Sequence, residues 1–129
     1  MKRAILMSMK LEWWERILSG EKILEIRKTV PDDENGKRFT WPLTVVVYVS
    51  GTGEVRGEFN CPGWIGTNMA ELLEKLSCVP PKDLKAYAKG KRLYGWVVRN
   101  AREYYTPHTL EDFGVKRAPM SWQYINLPF

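Results

Sequence analysis

The chain has 129 residues, of which 44% are hydrophobic and 27% are charged, a composition typical of one globular domain with one core. Twenty Lys and Arg against 15 Asp and Glu give a net charge of +5, which is compatible with a polyanionic partner. No apolar run approaches the roughly 18 residues of a membrane helix, which excludes a helical membrane protein.

The first elements follow one another closely along the chain. Residues 3–9 alternate as a strand, and residues 10–19 have the apolar spacing of an amphipathic helix. Gly20 is expected to end this helix, because a left-handed backbone is cheap only for glycine. A second strand is predicted for residues 23–28. The residues expected on the buried face of the helix are Leu11, Trp14, Ile17 and Leu18.

The middle of the chain predicts a long loop followed by a hairpin. Residues 29–42 are rich in turn formers and form either a lid or an insertion, of which we favour the insertion. Residues 43–50 carry four valines and predict a central strand. Residues 54–61 return as its antiparallel partner, and Gly57 is expected to mark a bend or bulge.

The last part predicts two helices and two strands. One helix begins near Asn68 and ends before two prolines, and another spans residues 82–89. Residues 93–105 predict one long strand that bends at Gly95, and residues 121–127 predict the last strand. One helical turn is expected at residues 109–113. This order predicts a mainly β member of the α+β class, with a small, bent, mixed β-barrel and two or three helices packed outside.

The chain has few residues that could bind a metal ion or form a disulfide bond. Cys61 and Cys78 are expected to be small buried residues, and His108 lies in a predicted loop without a catalytic partner at recognisable spacing. We therefore expect no metal and no cofactor. The N-terminal residues lack the apolar region of a signal peptide, so we expect a cytoplasmic protein. No repeat or linker divides residues 1–129, which predicts a single domain.

The segment from Gly20 to Lys28 carries more charge than a plain core strand needs. Glu25 and Arg27 are two residues apart, so they point to one face of the strand, while Leu24 and Ile26 point to the other. Lys22 lies at the entrance of the strand. If the protein has a site, we expect it here.

The pattern G-x-K-x-x-E-x-R formed by Gly20, Lys22, Glu25 and Arg27 resembles the signature of ASCH (activating signal cointegrator homology) domains of the PUA-like superfamily. Residues 5–10 before the first helix resemble the family's N-terminal half, and residues 57–59 resemble a barrel strand. Residues 110–114 and 119–122 resemble the end of small bacterial and phage-type members, so that the likeness covers nearly the whole chain.

The resemblance implies a PUA-like β-barrel with a cleft beside the first helix. It also implies a role related to nucleic acids, chiefly RNA. We therefore expect RNA or a nucleotide-like small molecule to bind a charged cleft at the barrel mouth. The ligand-binding residues expected there are Lys22, Glu25, Arg27 and Lys28.

A hydrolase is the alternative. One bacterial branch is similar to amidohydrolases that deacetylate N4-acetylcytidine with a Lys, a Thr and a Glu. Lys22 matches the Lys, and the catalytic residues would then be Lys22 and Glu25. However, Glu25 stands where that branch has its Thr, and the distant Glu has no secure match, which favours binding over catalysis.

Two further interpretations remain open from the residues. The signature charges could form a structural ion pair in a protein-interaction module. The basic stretch 82–92 is either an additional phosphate-binding patch or a solvated helix face.

Three tryptophans are candidates for stacking a base in the cleft, although a buried core ring is the favoured interpretation of each. They are Trp13, Trp64 and Trp122.

Overall fold

The computed structural model describes residues 2–31, 41–68 and 70–129. Most of the loop predicted at residues 29–42 falls outside this part of the chain, and so does the choice between a lid and an insertion. The strands are β1 (Arg3–Met9), β2 (Leu24–Arg27), β3 (Leu43–Val49), β4 (Glu54–Cys61), β5 (Trp64–Thr67), β6 (Leu93–Val97), β7 (Arg99–His108) and β8 (Trp122–Asn126). The helices are α1 (Leu11–Leu18), α2 (Ala70–Ser77) and α3 (Pro81–Ala88), with a 3-10 turn at Glu111–Phe113.

The strands form two sheets. The larger has the order β7-β4-β3-β1-β8, with the valine-rich β3 at its centre as predicted. β1 and β3 are parallel, whereas the other neighbours in this sheet are antiparallel. The smaller sheet is antiparallel with the order β2-β6-β5. The mainly β, α+β class is confirmed, but over the described residues the strands do not close into the single bent barrel that we expected.

The two sheets arise because the long strand predicted at residues 93–105 is two strands. The break falls at Val98 rather than at Gly95, and Asn100 beyond it has a left-handed φ of 50°. β6 joins β2 and β5, whereas β7 joins β4 in the larger sheet. Gly95 instead lets the Leu24 side chain pack closely on β6, since an added Cβ would lie 3.0 Å from Leu24 Cδ1.

The core on either side of β1 explains the alternating pattern of that strand. Ile5 and Met7 pack with Trp14 and Ile17 of α1, while Leu6 belongs to a second cluster on the opposite face. The prediction for α1 was wrong for two of its four apolar residues, since Leu11 is 40% exposed and Leu18 is 36% exposed. The short helix is covered only along one narrow stripe.

Two glycines have clear structural roles. Gly20 follows α1 with a φ of +87°, as expected of the residue that ends a helix. Gly57 lies at a register shift between β4 and β7, which confirms the predicted bulge. A Cβ at Gly57 would collide with the Arg102 carbonyl oxygen and with Trp14 Cζ2. This glycine therefore allows α1 to pack directly on the larger sheet.

Helices α2 and α3 cover the apolar face of the smaller sheet. Leu24 and Ile26 of β2 pack there against Leu73 and Leu84. None of the helices in the described part of the chain is long and apolar enough to cross a membrane. The opposite face of β2 is thus left to carry the charged residues of the signature.

Candidate functional site

The short strand β2 positions two charged side chains on one face. Glu25 lies opposite Trp96 and Arg27 lies opposite Tyr94 in the β2–β6 ladder. Directly opposed residues of an antiparallel pair share a face, so these four side chains lie on the same side of the smaller sheet. The predicted alternation with Leu24 and Ile26 is confirmed.

Lys22 is completely buried behind this face. Its Nζ donates a hydrogen bond of 2.6 Å to the Ser77 carbonyl oxygen and lies 3.6 Å from Glu25 Oε1. The same ammonium lies 4.9 Å from the centre of the Trp13 ring. Burial lowers the pKa of Lys22, and the neighbouring Glu25 carboxylate opposes this shift. Lys22 thus acts as an internal counter-charge for Glu25.

Glu25 has one satisfied oxygen and one unsatisfied oxygen. Oε1 accepts a hydrogen bond of 3.1 Å from the Ile26 backbone N–H. Oε2 is buried and has no hydrogen-bond partner among the described residues, with the nearest charged nitrogen, Arg27 Nη2, at 3.6 Å. An unsatisfied buried acceptor costs about 1–3 kcal/mol. A ligand that donates a hydrogen bond to Oε2 would recover part of this cost.

Glu58 is the other buried carboxylate among the described residues, and its contacts differ from those of Glu25. Glu58 Oε1 accepts a hydrogen bond of 2.9 Å from the Tyr104 hydroxyl, and Oε2 accepts one of 2.6 Å from Arg102 Nη2. Burial and the hydrogen bond to Glu58 raise the pKa of Tyr104. Both oxygens of Glu58 are satisfied within the fold, so nothing at this position calls for a ligand.

Arg27 joins the signature strand to the β1–β8 edge of the larger sheet. Its Nη2 donates a hydrogen bond of 2.7 Å to the Ser8 carbonyl oxygen at the end of β1. Its Nη1 lies 3.3 Å from the Ser121 carbonyl oxygen and 3.2 Å from Ser121 Oγ, just before β8. These contacts fix the guanidinium plane beside Glu25.

Glu25 and Arg27 line an open pocket of about 510 Å³ between α1, β2, α3 and the segment before β8. This volume falls within the range of small-molecule sites. The ring of Trp13 from α1 and the ring of Tyr87 from α3 contribute to its walls. The other lining residues are Ser8, Met9, Lys10, Ile26, Ser50, Val79, Asp83, Leu84, Met120 and Ser121.

The structure therefore brings the four predicted site residues together in different ways. Glu25 and Arg27 line the pocket, and Lys22 is buried behind Glu25. Lys28 is exposed, with its Nζ 4.5 Å from the centre of the Tyr87 ring, which places it beside the α3 wall. Tyr87 was not predicted as a site residue. Its spacing of three from Leu84 places both on one face of α3, and this helical spacing could have identified it.

The three tryptophans occupy different environments. Trp13 lines the pocket and is half-buried. Trp122 packs against Trp96 and its Nε1 donates a hydrogen bond of 3.0 Å to Thr29 Oγ1, so it is part of the fold. Trp64 is 42% exposed on β5, outside the pocket wall. Among the three candidates, Trp13 is therefore the one placed to contact a ligand in this pocket.

Other reactive residues lie away from the pocket. Cys61 is buried, and burial raises the pKa of its thiol to about 11. Cys78 is half-buried rather than fully buried as expected. His108 contacts Asp112, with 3.3 Å between Nδ1 and Oδ2, and its ring packs among aromatic neighbours. Across residues 2–31, 41–68 and 70–129, no cluster of three metal-ligating side chains occurs.

The basic stretch at residues 82–92 has one clear ion pair. Lys85 Nζ lies 3.1 Å from Glu71 Oε1, a contact between exposed side chains of α3 and α2. Exposed pairs of this kind contribute little to stability. The remaining basic side chains of the stretch are exposed on and after α3. This exposure agrees both with a phosphate-binding patch and with a solvated helix face.

Comparison with known proteins identifies the fold. No protein-family model matches the chain, and no curated protein matches it. Among solved structures, ASCH from Zymomonas mobilis is similar to the chain with a TM-score of 0.75 at 15% sequence identity, over 94% of this chain and 86% of that one. Two point mutants of that protein match with TM-scores of 0.76 at 14% identity, over 94–95% of this chain and 87–90% of theirs.

The chain therefore has an ASCH-type fold, as the resemblance of its signature segment predicted. At 14–15% identity this similarity concerns the fold alone.

Proposed function

We propose that this domain binds single-stranded RNA or a nucleotide-like ligand by holding one unpaired base in the pocket lined by Glu25 and Arg27. The observation that carries the proposal is the buried Oε2 of Glu25, which has no hydrogen-bond donor among the described residues although Glu25 lines the pocket. The ASCH-type fold supports the proposal, since the family resemblance implies a role related to RNA.

The chemistry of the pocket matches the edge of a base. Glu25 Oε2 is an acceptor, and the guanidinium of Arg27, whose Nη2 lies 3.6 Å away, is a donor. The Watson–Crick edge of a base likewise places an N–H donor next to an acceptor, and this edge is accessible only when the base is unpaired. The pocket thus favours single strands over duplexes.

Aromatic and basic side chains surround this polar pair. Trp13 and Tyr87 offer apolar ring surface on two walls for the base. Lys10 on the pocket lining and Lys28 beside Tyr87 supply positive charge for the phosphates. Asp83 on the α3 wall repels phosphate, so the backbone is expected to follow the side of Lys10 and Lys28.

The test is a titration of a fluorescently labelled single-stranded RNA hexamer of mixed sequence, followed by anisotropy. Lys10→Ala and Lys28→Ala should each weaken binding severalfold, because each removes one phosphate contact. Each should also reduce the slope of log K against log salt concentration by about one. The matched control is Lys2→Ala, which changes an exposed lysine at the opposite end of β1 from the pocket.

The proposal also requires that a duplex of the same sequence bind more weakly than the single strand. Equal affinity of the wild type for both forms would overturn it. Equal affinities of the two pocket variants, the control and the wild type would overturn it as well.

An amidohydrolase acting on a modified nucleoside such as N4-acetylcytidine is the second candidate. The observation that favours it is the lowered pKa of Lys22, since a neutral amine can accept a proton. Lys22 is, however, buried behind Glu25, so Glu25 would have to contact the substrate. Release of acetate from N4-acetylcytidine by the wild type, and its loss in Lys22→Met, would support this candidate over simple binding.

A further inference from the structure

A second aromatic surface lies on the same sheet face as Glu25 and Arg27. Trp64 on β5 is 42% exposed and forms an edge-to-face contact with Tyr94 on β6, with 5.3 Å between the ring centres. Tyr94 lies opposite Gly66, and Trp64 is two residues before Gly66 in β5. The side chains of Trp64 and Tyr94 therefore share one face of the smaller sheet. We call Trp64, Tyr94 and the neighbouring Arg92 the outer platform.

Because Gly66 has no side chain, the three side chains of the outer platform can pack together above it. A Cβ at Gly66 would lie 3.2 Å from Arg92 Cδ, 3.2 Å from Trp64 Cζ3 and 3.3 Å from Tyr94 Cδ1. All three side chains therefore converge over the bare backbone of this glycine. The result is a partly exposed indole ring beside an exposed arginine side chain, a combination suited to stacking a base and contacting its phosphate.

The outer platform lies on the same sheet face as Glu25 and Arg27, and its Trp64 is two strands away from them. Tyr94 lies directly opposite Arg27 in the β2–β6 ladder, and Gly66 lies directly opposite Tyr94 in the next ladder. Two strand spacings separate β5 from β2, which is about 10 Å. This distance corresponds to about three nucleotides of a stacked strand at about 3.4 Å each.

We infer that the outer platform stacks a second base of the strand whose first base occupies the pocket, so that the ligand is an oligonucleotide rather than a free nucleotide. The inference rests on the proposed function, because it takes the Glu25–Arg27 pocket as the first binding position. The positive charge of Arg92 complements the phosphate backbone, and the partly exposed ring of Trp64 can stack on any base, since every base has a π face.

The experiment compares the affinities of a mononucleotide and of single-stranded RNAs of three and six nucleotides for the wild type and three variants. Trp64→Leu removes the ring but keeps an apolar side chain, whereas Trp64→Phe keeps a ring that can stack. The matched control is Ile65→Ala, because Ile65 is 41% exposed on the same strand but on the opposite face. Thermal unfolding checks that each variant is folded.

We expect the hexamer to bind Trp64→Leu at least about fivefold more weakly than the wild type, the effect of losing one base–aromatic stack. The mononucleotide should bind Trp64→Leu and the wild type with the same affinity. Trp64→Phe and Ile65→Ala should bind the hexamer with affinities within about twofold of the wild type. Unchanged hexamer affinity in folded Trp64→Leu would overturn the inference.

The failure of this inference is distinguishable from failure of the proposed function. If Lys10→Ala and Lys28→Ala weaken hexamer binding and Trp64→Leu does not, only the outer platform is refuted. If Trp64→Leu weakens binding and the pocket variants do not, the pocket is refuted as the first position, and the inference as stated falls with it. A hexamer that binds no more tightly than a mononucleotide would also overturn it.

Discussion

Glu25 Oε2 lies 3.6 Å from Arg27 Nη2, in a pocket wall, without a hydrogen bond from that guanidinium or from any other described residue. Arg27 instead directs its hydrogen bonds to Ser8 and Ser121. The fold thus holds a carboxylate and a guanidinium side by side and leaves one carboxylate oxygen without a hydrogen bond. The two groups therefore form an ion pair without a direct hydrogen bond, and a donor from a ligand is what the proposed function adds.

Neutralising this carboxylate should destabilise the protein. Glu25→Gln leaves the buried ammonium of Lys22 and the guanidinium of Arg27 without their shared counter-charge, which should lower the free energy of unfolding by about 3 kcal/mol. Urea unfolding at pH 7 measures this, with the exposed Glu12→Gln on α1 as the control. A loss of less than about 0.5 kcal/mol would contradict the charge cluster described above.

The pH dependence of stability should report the burial of Lys22. Burial lowers the pKa of Lys22 below its usual 10.5, so between the folded and unfolded pKa values the unfolded chain binds more protons. The contribution of Lys22 to stability therefore rises with pH up to about 10.5. The unfolding free energy of the wild type minus that of Lys22→Met should increase with pH, by at most about 1.4 kcal/mol per pH unit.

This difference is measured by urea unfolding between neutral pH and about pH 10.5, where contributions of other groups largely cancel. Lys2→Met, which changes an exposed lysine, is the control and should show no such slope. A difference that stays flat or falls with pH would show that the fold does not lower the pKa of Lys22.

The close approach of α1 to the larger sheet should make Gly57 sensitive to the smallest side chain. Gly57→Ala places a Cβ against the Arg102 carbonyl oxygen and the Trp14 ring, so it should cost about 3 kcal/mol or more, or prevent folding. Gly63→Ala is the matched control, because a Cβ there has no atom within 4 Å. Similar melting temperatures for the two variants would contradict this packing.

The two cysteines should differ in reactivity. Cys61 is buried with a pKa of about 11, so near pH 8 its thiol is both protonated and shielded. Cys78 is half-buried. In a titration with Ellman's reagent, folded Cys61→Ser should show one reacting thiol, and folded Cys78→Ser should show none until denaturant is added. Rapid reaction of folded Cys78→Ser would contradict the burial of Cys61.

The local pattern of the signature segment was predictable from the sequence. The alternation around Glu25 and Arg27 follows from strand geometry, and the role of Gly20 follows from its conformational freedom. The central position of β3 follows from its valines, which are apolar on both faces. The motif also predicted the ASCH-type fold, because several segments occur in the same order as in that family.

Other features depended on tertiary packing and were missed. The β-forming residues from Leu93 to Tyr105 continue across Val98, so local propensity gave no reason to divide them between two sheets. β5 is short and contains Gly66, and its strand conformation depends on pairing with β6. The complete burial of Lys22 depends on α2, which supplies the Ser77 carbonyl oxygen from 55 residues away.

The most direct test of the central claim is a crystal structure of the domain with a bound single-stranded RNA trinucleotide. We predict that one unpaired base occupies the pocket with an N–H donor about 2.7–3.2 Å from Glu25 Oε2, and that the Arg27 guanidinium faces an acceptor of the same base. A complex in which RNA binds elsewhere, with Glu25 Oε2 still lacking a donor, would contradict the proposed function.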